Sequence, residues 1–117
     1  MALPREYRLK DSYYFRRVKR LGKSFNTPLF FLNIAPSKDP DELKFGFVVS
    51  TKVDKRAVER NRIRRVLSES IRKRLDGFGR GYHVVIIARP AISGKDTKTI
   101  DTWFEKVYPK ILAFDKK

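Results

Sequence analysis

Tyr82-His83-Val84-Val85-Ile86-Ile87-Ala88-Arg89, followed by Pro90, predicts the strand around which the rest of the chain is organised. Its centre is apolar at every position, and a strand of this kind is normally buried on both faces of a sheet. The pattern therefore indicates a central strand with other elements packed on either side. The apolar run is far shorter than the roughly 20 residues needed to cross a bilayer, so it predicts no membrane span.

Shorter strands are predicted upstream of this segment. Apolar side chains alternate over 30–36 and again over 43–50, with a turn-forming stretch at 37–42 between them. Alternation of this kind is typical of half-buried strands, and the short turn predicts that the two strands form a hairpin. A further short strand is expected around 23–26.

Three helices are predicted from apolar residues spaced three or four apart. The first has Asp11 or Ser12 as its N-cap and ends at Gly22. The longest runs from about 54 to 75, within a strongly basic segment at 52–75. The last begins near Asp96 or Thr97, and its proline at 109 is expected to kink it or end it early.

The order of these elements, α-β-β-(β)-α-β-α, predicts an α+β fold built as a two-layer sandwich. A chain of 117 residues is long enough for one such domain, here taken as 1–117. Residues 1–9 show no periodicity and are predicted to form an extended arm. Since the start of the chain shows no signal peptide, we expect a cytoplasmic protein.

Positive charge is concentrated in two segments. The formal net charge is +15, and residues 5–23 and 52–74 together hold 18 of the 28 Lys and Arg against 5 acidic residues. Concentrated cationic segments favour a polyanionic partner, with nucleic acid ahead of an anionic membrane or an acidic protein. Without cysteine, the chain has no disulfide framework, thiolate zinc site or cysteine nucleophile.

No catalytic or metal-binding constellation is evident. The acidic residues are scattered, and the only histidine, His83, lies within the predicted central strand. A metal-dependent nuclease would need clustered carboxylates or histidines. The glycines at 77, 79 and 81 follow a helix rather than a strand, which is typical of a loop and not of a dinucleotide site. We therefore predict no catalytic residue, no metal site and no cofactor in the chain itself.

The long helix carries the most informative motif, Arg60-Asn61-Arg62. These side chains fan through about 200° of a helical wheel, so one short segment can reach several phosphates, and the amide can read a base edge or ribose. The alternative interpretation is a solvated helix stabilised by pairs four residues apart, such as Lys55–Glu59 and Arg65–Glu69.

The segment Ala57-x-x-Arg60-Asn61-Arg62-Ile63-x-Arg65 resembles the RNR signature of the bacterial ribonuclease P protein family. Three more segments are similar to that family in the same order. They are Arg8-Leu9-Lys10 with Phe15-x-x-Val18-x-x-x-Gly22, Phe45-Gly46-Phe47-Val48-Val49-Ser50, and Gly81-Tyr82-x-Val84-Val85-Ile86-Ile87-Ala88-Arg89.

The resemblance implies a ribosomal-protein-S5-domain-2-like fold with a left-handed β-α-β crossover. It also implies a protein that joins a catalytic RNA to promote endonucleolytic removal of the 5′ leader of precursor tRNA. Mg²⁺ would be held by the RNA subunit, with one protein for each RNA and no membrane partner. A structural RNA-binding protein of ribosome assembly, with no role in cleavage, is the alternative, and a protein-only nuclease is less supported.

The resemblance also assigns two sets of binding residues. The set expected to bind the catalytic RNA is Arg60, Asn61, Arg62, Arg64 and Arg65. The set expected to line or rim a cleft for the leader is Phe15, Lys19, Phe30, Asn33, Lys52, Lys55, Arg56 and Arg89. Helical spacing alone favours a core position for Phe15, and the resemblance makes the cleft equally compatible. The chain departs from the family pattern at Lys19, Asn33, Ser50, Thr51, Ser68 and His83.

Overall fold

The computed structural model describes residues 3–10 and 12–115, with side chains described through position 113. Three helices and four strands make up the described chain, and short 3₁₀ turns lie at Arg5–Tyr7, Leu75–Gly77 and Pro90–Ile92. The main elements are α1 (Ser12–Leu21), β1 (Lys23–Asn26), β2 (Phe30–Pro36), β3 (Leu43–Val48), α2 (Ala57–Arg72), β4 (Tyr82–Ala88) and α3 (Thr97–Asp115). None of these helices is long and apolar enough to span a bilayer.

The four strands form one mixed sheet in the order β1-β2-β4-β3. β4 lies between two neighbours, antiparallel to β2 and parallel to β3. Val84 and Ile86 of β4 are fully buried, and Val85 is 3% exposed. The predicted central, two-sided position of this strand is confirmed.

The predicted hairpin between β2 and β3 is wrong, because β4 separates them. The connecting loop instead crosses the start of β4, where the Ser37 N–H donates to Gly81 O and the Gly81 N–H donates to Glu42 O. Strands two places apart lie only about 10 Å from each other, which six residues span easily. Because the loop crosses the start of β4, this strand, which is apolar on both faces, lies in the centre of the sheet between β2 and β3. Gly81 has a φ of +91°, which favours glycine at this turn.

The sheet buries a different set of side chains on each face. On one face, Phe30, Phe45 and Ile86 pack with residues of α2 and α3 in the larger core. On the other face, Ala35 and Val85 pack beneath α1 in a smaller cluster. Adjacent residues of a strand point to opposite faces, so this α+β sandwich places α1 opposite the other two helices. The parallel β3–α2–β4 connection is a β-α-β crossover, as predicted, and its left-handedness stays a prediction.

Two helix boundaries differ from prediction. α2 starts at Ala57 instead of 54, because Oδ1 of Asp54 accepts the Arg56 N–H at 2.8 Å and so closes a local turn before the helix. α3 continues through Pro109 to residue 115, so the expected early end is wrong. Val107 and Ile111 are both buried, and their packing holds the helix together on either side of the proline.

The chain before α1 is folded, and α1 itself begins at Ser12, one of its two predicted N-cap residues. Within residues 3–10, Leu3 and Leu9 are buried, Arg5–Tyr7 form a 3₁₀ turn, and the Leu9 N–H donates to Phe45 O at 2.9 Å. This segment is therefore docked beside the edge strand β3 and is not an extended arm. The first two residues of the predicted arm and the alternative N-cap Asp11 lie outside the described residues.

Candidate nucleic-acid interface

A groove lies between α1 and the sheet, and we call it the α1 groove. It encloses about 240 Å³. Its lining consists of Phe15, Arg16 and Lys19 from α1 together with Phe31, Val48, Val85 and Ile87 from the sheet. The sheet supplies an apolar floor, and the helix supplies one aromatic ring and two cations. Such a groove can hold flat apolar rings while attracting negative charge.

Phe15 is positioned by the absence of a side chain at Gly46. A Cβ added to Gly46 would lie 2.4 Å from the Phe15 ring, so the ring lies directly over the β3 backbone at this point. Phe15 is half-buried and lines the α1 groove. This placement favours the predicted cleft role of Phe15 over a fully buried core role.

Phe30 does not line this groove, and its assignment to the cleft is wrong. It is fully buried on the opposite face of the sheet, where its ring stacks on Phe104 with centroids 4.4 Å apart. Phe31, the next residue, points into the groove. Because adjacent residues of β2 point to opposite faces of the sheet, choosing Phe30 instead of Phe31 placed the aromatic contact on the wrong face. The same alternation is the sequence signal that could have identified Phe31.

Arg89 lies over the Phe31 ring, with its guanidinium carbon 4.9 Å from the ring centroid. Its Nε donates to Thr27 O at 3.1 Å, and Nη2 donates to Asn26 Oδ1 at 3.0 Å. These bonds hold a half-exposed cation against an aromatic ring at the groove face of the sheet. Arg89 thus lies beside the Phe31 side of the α1 groove, and its contact with a leader stays a prediction.

Asn33 and Lys19 differ in how far they can reach a ligand. Asn33 shares the groove face of β2 with Phe31 but is only 6% exposed, and it is not among the residues that line the groove. Lys19 is exposed at the rim of the groove. Of these two predicted contacts, the structure leaves only Lys19 open to a strand in the groove.

A cationic loop follows β3 at the same end of the sheet. β3 and β4 end where the antiparallel strand β2 begins, which brings the loop to the end of the sheet that carries Phe31 and Arg89. Lys52, Lys55 and Arg56 are all exposed on this loop. The cationic loop at 52–56 therefore lies at the same end of the sheet as Phe31 and Arg89.

Asp54 braces this loop. Its carboxylate accepts the side chain of Arg56 at 2.9 and 3.0 Å and the Ser93 hydroxyl at 2.6 Å. The Arg56 hydrogen bond is the main reason that the pKa of Asp54 is held well below its usual range. At neutral pH the carboxylate is charged, and it connects the loop after β3 to the loop after β4.

The five residues predicted to bind the catalytic RNA, which we call the RNR region, differ in exposure. Asn61 and Arg65 are exposed, whereas Arg60, Arg62 and Arg64 are partly buried. Arg60 donates to Asp54 O and Lys55 O at 3.0 and 2.8 Å, at the start of α2. Arg60 thus ties the helix to the preceding loop.

Arg62 is held in an ion pair with Glu59. Its Nε and Nη2 each donate to the Glu59 carboxylate at 2.8 Å, and Nη2 also donates to Lys95 O at 2.8 Å. The pKa of Glu59 falls to about 2, chiefly because of the Arg62 hydrogen bond and then the Gly94 N–H. The solvated-helix alternative predicted that Glu59 pairs with Lys55, but the partner in the structure is Arg62.

Arg64, Asn61 and Arg65 face a second groove, between α2 and residues 3–8. It encloses about 380 Å³ and is lined by Leu3, Arg8, Phe47, Asn61, Arg64, Arg65 and Ser68. Arg64 donates to Asn61 Oδ1 at 2.8 Å and to Val49 O at 3.3 Å. Because Asn61 already accepts from Arg64, its amide N–H groups are the part left to contact a partner.

His83 is a buried structural residue. It is 2% exposed, its Nε2 bonds Glu42 Oε1, and the Tyr14 ring meets it edge-on at 5.1 Å. Its Nδ1 has no partner among the described atoms. Across residues 3–10 and 12–115, no three His, Cys, Asp or Glu side chains come together in a way that could hold a metal ion.

Comparisons with known proteins agree with this geometry. The family model described as Ribonuclease P matches residues 3–112. A ribonuclease P protein component of Clostridium acetobutylicum is 34% identical over 116 residues, 97% of each chain. One from Synechococcus elongatus is 35% identical over 102 residues, 85% of this chain and 83% of that one. A solved structure of the Staphylococcus aureus RNase P protein superposes with a TM-score of 0.80 at 27% identity, covering 88% of this chain and 93% of that one. On this evidence and on the residues of the RNR region, the chain belongs to the ribonuclease P protein component family.

Proposed function

We propose that this chain is the protein subunit of a ribonuclease P ribonucleoprotein and promotes removal of the 5′ leader of precursor tRNA. Membership of the family supports the subunit role in tRNA 5′ maturation. The observation that carries the leader-binding part of the proposal is the α1 groove, which combines an apolar floor, aromatic rings and cations.

The α1 groove suits a single strand better than a duplex. Phe15 and Phe31 offer ring faces on which unpaired bases can stack, and such stacking is largely independent of base identity. Lys19, Arg16 and Arg89 lie where they can attract the phosphates between those bases. A leader of variable sequence requires this combination of stacking and charge.

The α2 surface is proposed to bind the catalytic RNA. Asn61 and Arg65 are exposed there, and Arg64 lines the second groove with them. Arg60 and Arg62 contribute positive charge from partly buried positions. Folded RNA carries closely spaced phosphates, so a convex, arginine-rich helix matches it in charge.

Catalysis is assigned to the RNA subunit, with Mg²⁺ bound there. Neither groove contains a carboxylate among its lining residues, so neither offers a carboxylate general base to a phosphodiester bound in it. The chain would instead hold the leader and neutralise phosphate charge, which lowers the concentration of Mg²⁺ that the assembly needs. We further propose one protein for each catalytic RNA and a cytoplasmic location.

Reconstitution tests this division of labour. Purified protein alone should leave precursor tRNA intact, and addition of the catalytic RNA should give cleavage at a low Mg²⁺ concentration at which that RNA alone is slow. Cleavage by the protein free of RNA would contradict the proposal. Co-purification with ribosomal RNA in place of one abundant non-ribosomal RNA would support a role in ribosome assembly instead.

Gly46→Ala should weaken leader binding without a direct contact between residue 46 and RNA. The added methyl group would meet the Phe15 ring at 2.4 Å and push it into the α1 groove, where bases are proposed to stack. We expect affinity for leader-bearing precursor to fall roughly fivefold to tenfold, about 1–1.4 kcal/mol, with binding to mature tRNA unchanged. Filter binding of the two RNAs by the assembled ribonucleoprotein measures this difference.

A double-mutant cycle provides the control for Gly46→Ala. In a Phe15→Ala background the ring that the methyl group displaces is absent, so Gly46→Ala should cause little further loss of leader affinity. Equal losses in both backgrounds would show that Gly46 acts through the fold of β3 and not through Phe15.

A further inference from the structure

The outer face of α1 carries a second aromatic and cationic surface, separate from the α1 groove. Tyr13, Arg16, Arg17 and Arg20 are spaced by three and four residues, which places them on one side of the helix. They line a shallow depression of about 310 Å³, which we call the outer surface of α1. Neither the cleft residues nor the RNR region include Tyr13, Arg17 or Arg20.

Tyr13 is unusually exposed for an aromatic residue. Its relative exposure is 46%, and it is one of three exposed large hydrophobic residues among those described. Its ring meets Tyr14 edge-on, with centroids 5.2 Å apart and an interplanar angle of 76°. Since Tyr14 itself is packed against His83, the orientation of the Tyr13 ring is set from beneath.

The charged residues of α1 around this ring all have the same sign. Ser12–Leu21 contains four cations and no acidic residue. Arg17 Nη1 donates to Pro36 O at 2.7 Å, which anchors that guanidinium, while Arg16 and Arg20 are exposed. An exposed ring flanked by guanidinium groups is matched by an unpaired base between two phosphates. A duplex would present its phosphates here but no base face.

Arg16 connects this surface to the α1 groove, because it lines both depressions. A strand that leaves the groove beside Arg16 therefore meets Tyr13 and Arg20 after crossing the helix. A helix with its side chains is about 10–12 Å across, a distance that a few nucleotides of an extended strand can cover. The two depressions can accordingly act on consecutive parts of one strand.

We propose that the outer surface of α1 binds leader nucleotides that extend beyond the α1 groove, with Tyr13 stacking on a base and Arg16 and Arg20 contacting phosphates. This inference rests on the proposed function, since it assumes that the groove holds the leader. It makes the protein sensitive to leader length as well as to leader presence.

A graded series of leaders tests the proposal. The assembled ribonucleoprotein is titrated with precursor tRNAs whose leaders increase by single nucleotides. Tyr13→Ala should bind short leaders as wild type does and lose roughly fivefold to tenfold affinity above a threshold length, while Tyr13→Phe should retain most of it. Arg20→Ala should show the same threshold, together with a smaller dependence of affinity on salt. Lys110→Ala, which removes an exposed cation from α3 on the other face of the sheet, is the matched control and should show no threshold.

Two results would overturn the proposal. Loss of affinity by Tyr13→Ala at every leader length would indicate contact with the tRNA body or a folding defect, and no loss at any length would remove the surface from binding. Failure of the proposed function is distinguishable, because wild-type protein and Phe15→Ala would then both bind leader-bearing and leaderless tRNA equally. Wild-type dependence on the leader with no Tyr13 threshold would overturn only the further inference.

Discussion

Phe30→Ala should lower the free energy of unfolding by about 3–5 kcal/mol, whereas Phe31→Ala should lower it far less. Phe30 is fully buried, stacked on Phe104 beneath α3, so truncation leaves a cavity that the surrounding core can fill only in part. Phe31 is half-exposed in the α1 groove, so truncation there leaves space that water can enter. Urea unfolding followed by circular dichroism measures both values. A domain of this size has only about 5–15 kcal/mol in total, so Phe30→Ala should be marginally folded.

Leader affinity should show the opposite order. Phe31→Ala removes one stacking face and the ring beneath Arg89, so affinity for leader-bearing precursor should fall by about 1–3 kcal/mol. Phe30→Leu keeps most of the buried volume and tests binding in a folded protein, where wild-type affinity is expected. Strong loss of leader affinity in Phe30→Leu, with wild-type stability, would return Phe30 to the cleft and contradict the structure.

The adjacent phenylalanines show how far the sequence could determine the site. Alternation over 30–36 predicted the strand correctly, together with its end at Pro36. The existence of an aromatic contact from this strand also followed from the family resemblance. Which of two neighbouring aromatics faces the groove depends on where α1 packs, and that packing is a tertiary property. A one-residue shift in assignment is enough to move a side chain to the other face.

The order of strands depends on contacts that local sequence does not specify. The turn at 37–42 predicts that the end of β2 lies near the start of β3, but it does not distinguish neighbouring strands from strands separated by β4. The separation became visible only through pairing between residues about 40–60 positions apart, such as Phe45 with Val84 and Leu32 with Ile86. Pro109 illustrates the same point, since burial of Ile111 overrides the local tendency of proline to end a helix.

For the RNR region, the sequence predicted the helical conformation better than it predicted which residues each side chain contacts. Its charge and helical conformation could be derived from sequence, and α2 is present from Ala57 to Arg72. The family resemblance assigned Arg62 to the set that binds the catalytic RNA. It could not show that Lys95 and Glu59 would both accept hydrogen bonds from Arg62, because Lys95 is 33 residues away along the chain.

The combined substitution of Asn61→Ala and Arg65→Ala should weaken binding to the catalytic RNA roughly 100-fold, about 2–3 kcal/mol, without much effect on folding. Both side chains are exposed on α2, and both border the second groove. Loss of Arg65 should also reduce the salt dependence of binding by about one phosphate contact. Titration of the catalytic RNA at several salt concentrations measures both quantities. If the double variant binds the catalytic RNA as tightly as wild type does, this face of α2 is not part of the RNA interface.

Arg62→Ala should behave differently, because Arg62 is already engaged within the chain. Removing it leaves Glu59 with only the Gly94 N–H and frees Lys95 O, so the free energy of unfolding should fall by about 1–2 kcal/mol along with RNA affinity. Glu59→Gln distinguishes direct phosphate contact by Arg62 from a bracing role within the chain. If Arg62 contacts phosphate directly, releasing it from the carboxylate should preserve or strengthen RNA binding, since a competing anion is removed. If Arg62 acts by bracing α2 against the loop at 93–95, Glu59→Gln should weaken both folding and RNA binding, as Arg62→Ala does. The ion pair and the third bond to Lys95 favour the second outcome, because all the N–H groups of Nε and Nη2 are used within the chain and only those of Nη1 are left for a phosphate.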